Sequence, residues 1–159
     1  FPTRRSSDLT SGPVVDDALQ TSVPGIFACG NVLHVHDLVD NVSEEAALAG
    51  RDAAEFARAV NAQRPDSGAE AMRVRDGAGV RGVVPQAVHA AKPACDLALT
   101  FRPAAVYRDA SVVVRIDGAE VSRRKHRILT PGEMVKVSVP KAELLRHVRG
   151  KELTVEVAP

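Results

Sequence analysis

The chain of 159 residues has few aromatic residues, two cysteines and no long apolar run. Aromatic residues make up 3% and tryptophan is absent, so the core has to be built mainly of Val, Ala, Leu and Ile. No apolar segment approaches the roughly 20 residues that span a bilayer, and the sequence contains no secretory h-region. Cys29 and Cys95 form no Cys-x-x-Cys motif, which argues against a disulfide framework. We therefore expect a cytoplasmic protein without a transmembrane segment.

The two halves of the chain carry opposite charge. Residues 1–70 contain 5 Lys/Arg against 11 Asp/Glu, a balance of −6, whereas residues 71–159 contain 16 against 9, a balance of +7. This asymmetry indicates two units of different character and raises the question of nucleic-acid binding. The basic residues of the second half are mostly isolated from one another, and aromatic residues for base stacking are nearly absent. We therefore do not predict a nucleic-acid partner.

The first nine residues, FPTRRSSDL, have no counterpart in the pattern that follows. All nine match the translation of a common sequencing-library adaptor in one reading frame. We interpret residues 1–9 as a sequencing-adaptor artefact and exclude them from the fold argument. On this interpretation the remaining sequence is expected to be the C-terminal part of a longer protein.

The pattern of residues 10–62 predicts an α/β segment. The apolar run from Ile26 to Cys29 predicts a short strand that is buried on both faces of a parallel sheet. A polar loop follows, and then a helix from Ser43 to about Val60. Ser43 is the expected N-cap, and two glutamates fall in the expected first turn, where the helix dipole favours negative charge.

The rest of the chain predicts a linker and then a small β domain. Residues 63–82 have the composition of a linker and turn. Residues 83–159 contain apolar residues in alternation, which predicts strands with one apolar face. Asp117-Gly118 lies between two such runs and is a strong hairpin signal. We expect a small antiparallel all-β domain, either a sandwich or a partial barrel.

Two motifs in the sequence resemble a dinucleotide-binding site and a metal site, and we predict neither site. Gly77, Gly79 and Gly82 match the letters of the G-x-G-x-x-G dinucleotide motif, but Pro85 would break the helix that this motif requires. We predict a glycine-rich turn there. His34, His36 and Asp37 could offer metal ligands, but no second cluster accompanies them. We interpret the histidines as loop residues near a ligand or an interface, and we predict no metal site and no catalytic residue.

The Gly30-Asn31 pair predicts a ligand site. Ligands of α/β sheets bind outside the carboxyl ends of the strands, and Gly30 stands at such an end, where the missing side chain permits close approach of the backbone. Asn31 offers both a donor and an acceptor to a polyhydroxylated ligand. The N-terminus of the following helix can direct N–H groups at an anionic ligand atom.

Several strings of the sequence resemble those of a known protein family. The strings TSVPGIFACGN (21–31) and AALAGRDAAEFA (46–57) resemble the C-terminal flavin motif of FAD- and NAD(P)-dependent pyridine-nucleotide oxidoreductases, a superfamily that includes thioredoxin reductase. More closely, CGNVLHVHDLVDNVSEEAALAG, VVPQ and LTPGEMVKV are similar to a subgroup often encoded beside glycerol-3-phosphate dehydrogenase. The resemblance covers residues 10–159 and corresponds to the last third of such an enzyme.

The resemblance implies a fold and a set of cofactor-binding residues. The fold would be the last strand and helix of a Rossmann-like FAD domain, followed by the small β domain. Gly30 and Asn31 would lie at the ribityl chain of FAD, with Asn31 in the place usually held by Asp, and the backbone N–H groups of Val42 and Ser43 would approach the flavin pyrimidine edge. Residues 34–40 would lie near the isoalloxazine edge, with an undecided role.

The resemblance also implies a function. The chain would be part of a flavoprotein oxidoreductase that passes electrons between NAD(P)H, FAD and a partner or small substrate, and it would be inactive alone. The remaining FAD contacts, the NAD(P) site and any redox Cys-x-x-Cys are expected upstream. The β unit stands where disulfide reductases of this superfamily carry other domains, so electron transfer to a partner is expected rather than disulfide reduction. An alternative is that the β domain docks a dehydrogenase or an iron–sulfur partner subunit and holds no cofactor of its own.

Overall fold

The computed structural model describes residues 12–62, 71–91, 93 and 95–159. The chain divides into two compact units, Phe1–Ala69 and Glu70–Pro159. The adaptor-like residues 1–9 and residues 63–70 of the expected linker lie outside the described residues. None of the helices in the described residues is long and apolar enough to cross a lipid bilayer.

The N-terminal unit begins with extended and turn segments that are joined by isolated β-bridges. Phe27 bridges to Gln20 in the antiparallel direction, and the Ala28 N–H donates to the Leu19 carbonyl at 3.0 Å. The prediction of a buried parallel strand from Ile26 to Cys29 is wrong for the described residues. Phe27 makes a single bridge there and Ile26 is half exposed, because the available partner segment is a short antiparallel turn rather than a parallel neighbour.

A 3₁₀ turn, Gly30–Val32, then leads through a loop to helix α1, Val39–Asn61. The helix therefore begins four residues before the predicted start at Ser43. Its N-cap is Leu38, whose side chain has no hydrogen-bonding group. Ser43 lies inside the helix, where its hydroxyl donates to the Val39 carbonyl at 3.1 Å, so the N-cap prediction is wrong. Asp40 supplies the negative charge that the first turn favours.

One face of α1 packs on the preceding segment. Ala49 is buried, as expected for a helix with small residues on its packed face. Phe56 meets Phe27 edge to face, with ring centroids 6.1 Å apart. The aromatic contact thus joins the C-terminal half of α1 to the segment that precedes the 3₁₀ turn.

The C-terminal unit is rich in β-structure and contains two sheets. One sheet has the strand order β3-β1-β8-β5-β6 and the other has the order β2-β4-β7. The elements are β1 Met72–Asp76, β2 Val80–Val84, β3 Ala87–Val88, β4 Leu97–Pro103, β5 Tyr107–Ile116, β6 Ala119–Leu129, β7 Val135–Val139, α2 Lys141–Arg146 and β8 Glu152–Ala158. The described structure is thus mixed α/β, with mostly antiparallel strand pairs.

Three features of this unit differ from the sequence-based expectation. Strand β1 and the first residues of β2 fall in residues 63–82, which were predicted to be linker and turn, because Met72, Val74 and Val80 join the core. The pair β1–β8 is parallel, whereas an all-antiparallel domain was expected from the hairpin and alternation patterns. Helix α2 was not predicted either, since six residues are too few for a helical period to stand out.

The core of the β unit follows the predicted alternation. Strand β7 alternates buried and exposed residues along its length, and Leu153, Val155 and Val157 of β8 are buried. Both sheets contribute to one hydrophobic cluster, in which Phe101 is among the largest fully buried side chains. Aliphatic residues supply the rest, which agrees with the low aromatic content.

The Asp117-Gly118 hairpin prediction is confirmed. Ile116 pairs with Ala119, and the two turn residues both have positive φ, 47° and 85°. A two-residue turn with both central φ angles positive is type I′, which matches the right-handed twist of the strands that it joins. The Asp117 carboxylate also accepts the Glu152 N–H at 3.0 Å and so ties the turn to β8.

Gly77 and Gly79 lie in a turn, as predicted, whereas Gly82 lies within strand β2, and no helix follows. The Asp76 carboxylate accepts the Gly82 N–H at 2.6 Å and the Val83 N–H at 3.0 Å. Gly77 packs against β8 so closely that a Cβ atom built on it would lie 2.7 Å from the Val155 carbonyl oxygen. The close packing against β8 therefore explains why position 77 is a glycine, without a phosphate ligand of the kind that the dinucleotide motif binds.

We predict that Gly77→Ala destabilises the β unit and that Gly132→Ala does not. The new methyl group at Gly77 meets backbone, so a shift costing about 1–3 kcal/mol is required, whereas Gly132 has open space and costs less than about 0.5 kcal/mol. Urea unfolding followed by the fluorescence of Tyr107, the single tyrosine of a chain without tryptophan, reports on this unit. Equal midpoints for the two variants would contradict the close approach of Gly77 to β8.

Candidate functional site

The loop between the 3₁₀ turn and α1 is organised around one carboxylate. Glu45, on the second turn of α1, accepts the Gly30 backbone N–H at 2.5 Å through Oε2. The Nε2 atom of His34 lies 3.2 Å from Oε1, and the Nε2 atom of His36 lies 3.0 Å from Oε2. One side chain of the helix thus joins the start of the loop to both of its histidines.

These three side chains are largely shielded from solvent. The side-chain exposures of His34, His36 and Glu45 are 10%, 3% and 12%. The two imidazole rings contact each other edge to face, with centroids 4.4 Å apart. The Nδ1 atom of His36 is buried and has no hydrogen-bond partner among the described residues. The cluster is therefore compact, polar and not completely satisfied by its own hydrogen bonds.

Opposing effects act on the ionisation of Glu45. Burial raises its pKa, but the hydrogen bonds from His34, the Gly30 N–H and His36, with the charge of His34, lower it further than burial raises it. The pKa of Glu45 is therefore below its ordinary value, and the side chain is an ionised acceptor at neutral pH. Such a carboxylate can accept N–H donors or act as a ligand to a cation.

The sequence pattern found the two histidines but not their acidic partner. Asp37 was the expected third member of the cluster, whereas Glu45 occupies that place and Asp37 is exposed. Alternate residues of a strand share a face, and this spacing rule groups only residues two positions apart. Glu45 is nine residues after His36 and lies on a helix, so the rule could not identify it. The signal that could have found it is an acidic residue in the first two turns of a helix that directly follows a histidine loop.

The predicted cofactor-binding residues lie around the same turn. Gly30 is buried with φ of +73°, and a Cβ atom built on it would lie 3.3 Å from Val42 Cγ1. Asn31 is exposed, and its side-chain oxygen accepts the His36 N–H at 3.2 Å. Val42 and Ser43 are the fourth and fifth residues of α1, so the first-turn N–H groups belong to earlier residues. A cofactor-binding role for these four residues stays a prediction.

A group of exposed apolar side chains flanks Gly30 and Asn31. Each member of this apolar group is more than half exposed to solvent, and four of the five lie within eight consecutive residues. Its members are Ile26, Val32, Val35, Leu38 and Val39. Single exposed apolar residues are ordinary, whereas several close together are typical of a surface that binds another molecule, and four of these five are close together in the sequence.

Both cysteines are free: Cys29 is partly buried at the start of the 3₁₀ turn, and Cys95 is exposed.

No protein-family model, no curated protein and no solved structure matches this chain.

We predict that Glu45→Ala loosens the histidine loop. The Gly30 N–H and both imidazoles lose their acceptor, at a cost of about 1–3 kcal/mol for a buried group left unsatisfied. Hydrogen exchange of the Gly30 amide should accelerate by about tenfold or more, since 1.4 kcal/mol of local opening free energy corresponds to a factor of ten. NMR-detected exchange measures this rate directly.

Glu55→Ala is the matched control for this substitution, because Glu55 is an exposed glutamate on the same helix. We expect the Gly30 amide to exchange at the wild-type rate in this control. A wild-type exchange rate in Glu45→Ala as well would show that the carboxylate does not organise the loop.

Proposed function

We propose that this chain is the C-terminal part of an FAD-dependent NAD(P) oxidoreductase. In this proposal the N-terminal unit lies against the flavin, and the remaining FAD contacts and the NAD(P) site are on sequence upstream of it. Electrons pass from NAD(P)H through FAD to a partner subunit or a small substrate. The protein works in the cytoplasm, and the chain alone is inactive.

The observation that carries the proposal is the apolar group beside Gly30 and Asn31. Five large apolar side chains near Gly30 and Asn31 in the sequence are exposed, while Gly30 itself is buried with a positive φ. A ligand with a flat apolar ring and a hydroxylated chain has the chemistry to cover both parts of such a surface. FAD has both features, and the string of residues 21–31 resembles the motif that binds it.

The residues present are compatible with parts of this cofactor. Gly30 has no side chain to block a ligand, and the Asn31 amide can bond a ribityl hydroxyl, more weakly than a carboxylate because the bond is neutral. The positive end of the α1 dipole favours negative charge near residues 38–41. When bound, FAD would supply the hydride and electron chemistry, while these residues orient it and exclude water.

One feature fits less well than the resemblance implies. Val42 and Ser43 are inside α1, where backbone N–H groups bond to carbonyls four residues earlier. The N–H groups nearest the helix N-terminus are those of Val39 and Asp40. We therefore extend the proposed cofactor contacts to the first turn of α1.

We test the proposal with the chain extended upstream in its genomic reading frame. The extended protein should retain FAD after desalting, whereas the 159-residue chain should lose it because it lacks the adenosine and pyrophosphate contacts. Visible absorbance of the desalted proteins measures bound flavin. An extended protein that stays free of flavin after incubation with FAD would overturn the proposal, and the docking role of the β unit would then take its place.

In the extended protein, Asn31→Ala should raise the Kd for FAD by about three- to tenfold, as expected for one lost hydrogen bond of about 0.5–1.5 kcal/mol. Asn61→Ala, at the exposed C-terminal end of α1, is the matched control and should bind FAD as the wild type does. Equal affinity of Asn31→Ala and wild type would remove Asn31 from the site.

A further inference from the structure

The histidine cluster brings together the ligand types that borderline transition metals prefer. One nitrogen of His34, one nitrogen of His36 and one oxygen of Glu45 lie within 4.8 Å of one another. Zinc and its neighbours in the first transition row bind imidazole nitrogen and carboxylate oxygen, whereas Mg²⁺ and Ca²⁺ prefer sites made of oxygen alone. The donor set therefore selects the class of metal.

The spacing of the atoms is close to that of a coordination shell. Metal–ligand bonds of about 2.0–2.2 Å place neighbouring ligands of a tetrahedral ion about 3.4 Å apart. The Nε2 atom of His34 lies 3.2 Å from Oε1 of Glu45 and that of His36 lies 3.0 Å from Oε2, and one donor atom of each residue lies within 4.8 Å of the other two. A small rearrangement of these side chains would bring all three donors to one ion, and both rings are already held by burial and by their contact with each other.

The cluster also contains an unsatisfied buried atom. His36 Nδ1 has no hydrogen-bond partner among the described residues, although His36 is 3% exposed. Buried polar atoms are nearly always paired, and because an ion on Nε2 would leave the Nδ1–H group in need of an acceptor, this atom by itself indicates a bound water or another group in the cluster. The hydrogen bonds to Glu45 thus do not account for the whole cluster.

The surrounding charge favours a cation. Residues 10–50 contain no Lys or Arg and six Asp or Glu residues. No basic side chain of this segment therefore competes for the Glu45 carboxylate. The negative balance lowers the cost of adding two positive charges to a partly buried site.

We propose that His34, His36 and Glu45 form a binding site for one divalent transition metal ion of the zinc type. Three protein ligands leave at least one coordination position open to water or another ligand. The ion would join the loop to α1 more firmly than the hydrogen bonds do. This inference is independent of the proposed flavin function, because it rests on side chains of the N-terminal unit alone.

The test uses the tag-free 159-residue chain after treatment with EDTA and dialysis. Calorimetric titration with Zn²⁺ should show one ion bound per chain, and Co²⁺ should give the visible absorption of a four- or five-coordinate ion. His34→Gln, His36→Gln and Glu45→Gln should each weaken Zn²⁺ binding by at least about tenfold, the lower end of the loss seen when only an outer-shell partner is removed.

Two control variants test whether the effect belongs to the cluster. Glu55→Gln replaces an exposed glutamate of the same helix, and His147→Gln replaces a histidine of the β unit. Both should bind Zn²⁺ as the wild type does. Absence of saturable Zn²⁺ binding in the wild type, or equal binding by the wild type and all three cluster variants, would overturn the proposal.

A second readout needs no variant and does not depend on whether a variant folds. On addition of one equivalent of Zn²⁺, the ring ¹⁵N resonances of His34 and His36 should shift by NMR, while those of the other three histidines stay in place. Shifts confined to His89, His126 and His147, or no shift at all, would show that the ion does not bind at this cluster.

Discussion

The arrangement of the N-terminal unit depends on the Glu45 carboxylate. It accepts the Gly30 backbone N–H and contacts the Nε2 atoms of His34 and His36. A shielded carboxylate is stable only when its charge is compensated by hydrogen bonds or ions, and here the compensation comes from the loop that precedes the helix. The loop is therefore held both by its hydrogen bonds to a helix side chain and by the buried side chain of Leu33. The 3₁₀ turn, the histidine pair and the first two turns of α1 form one polar unit.

This polar unit lies next to an apolar surface on the same stretch of chain. Val35 and Leu38 are exposed while His34 and His36 are shielded, which reverses the usual distribution of apolar and polar side chains. Such an inversion is stable when buried polar groups are paired and the exposed apolar groups are covered by another molecule. The proposed flavin would cover the exposed apolar group, and the proposed metal ion would bind the buried polar cluster.

The predictions from sequence succeeded where a local pattern decides the structure. The Asp117-Gly118 turn requires two residues with positive φ, and the alternation along β7 and β8 follows from one apolar face, so both could be read from neighbouring residues. Long-range pairing could not be predicted, since β1 joins β8 across some 80 positions. The start of α1 was misjudged because Ser43 is a good N-cap by type, whereas the helix begins after Leu38. Glu45 was missed because its partners are determined by the loop conformation, not by spacing along the sequence.

The most direct test of this account is the titration of the Glu45 carboxyl group in the metal-free chain, followed by its ¹³C resonance. Burial raises the pKa of this group and the donated hydrogen bonds lower it, and the balance predicts a pKa below the ordinary value of 4.5. A lowered pKa would show that the N–H donors of Gly30, His34 and His36 bond to the ionised side chain. A pKa at or above 4.5 would contradict the account, because burial without those donors would then govern Glu45 and the loop would lack its organising contact.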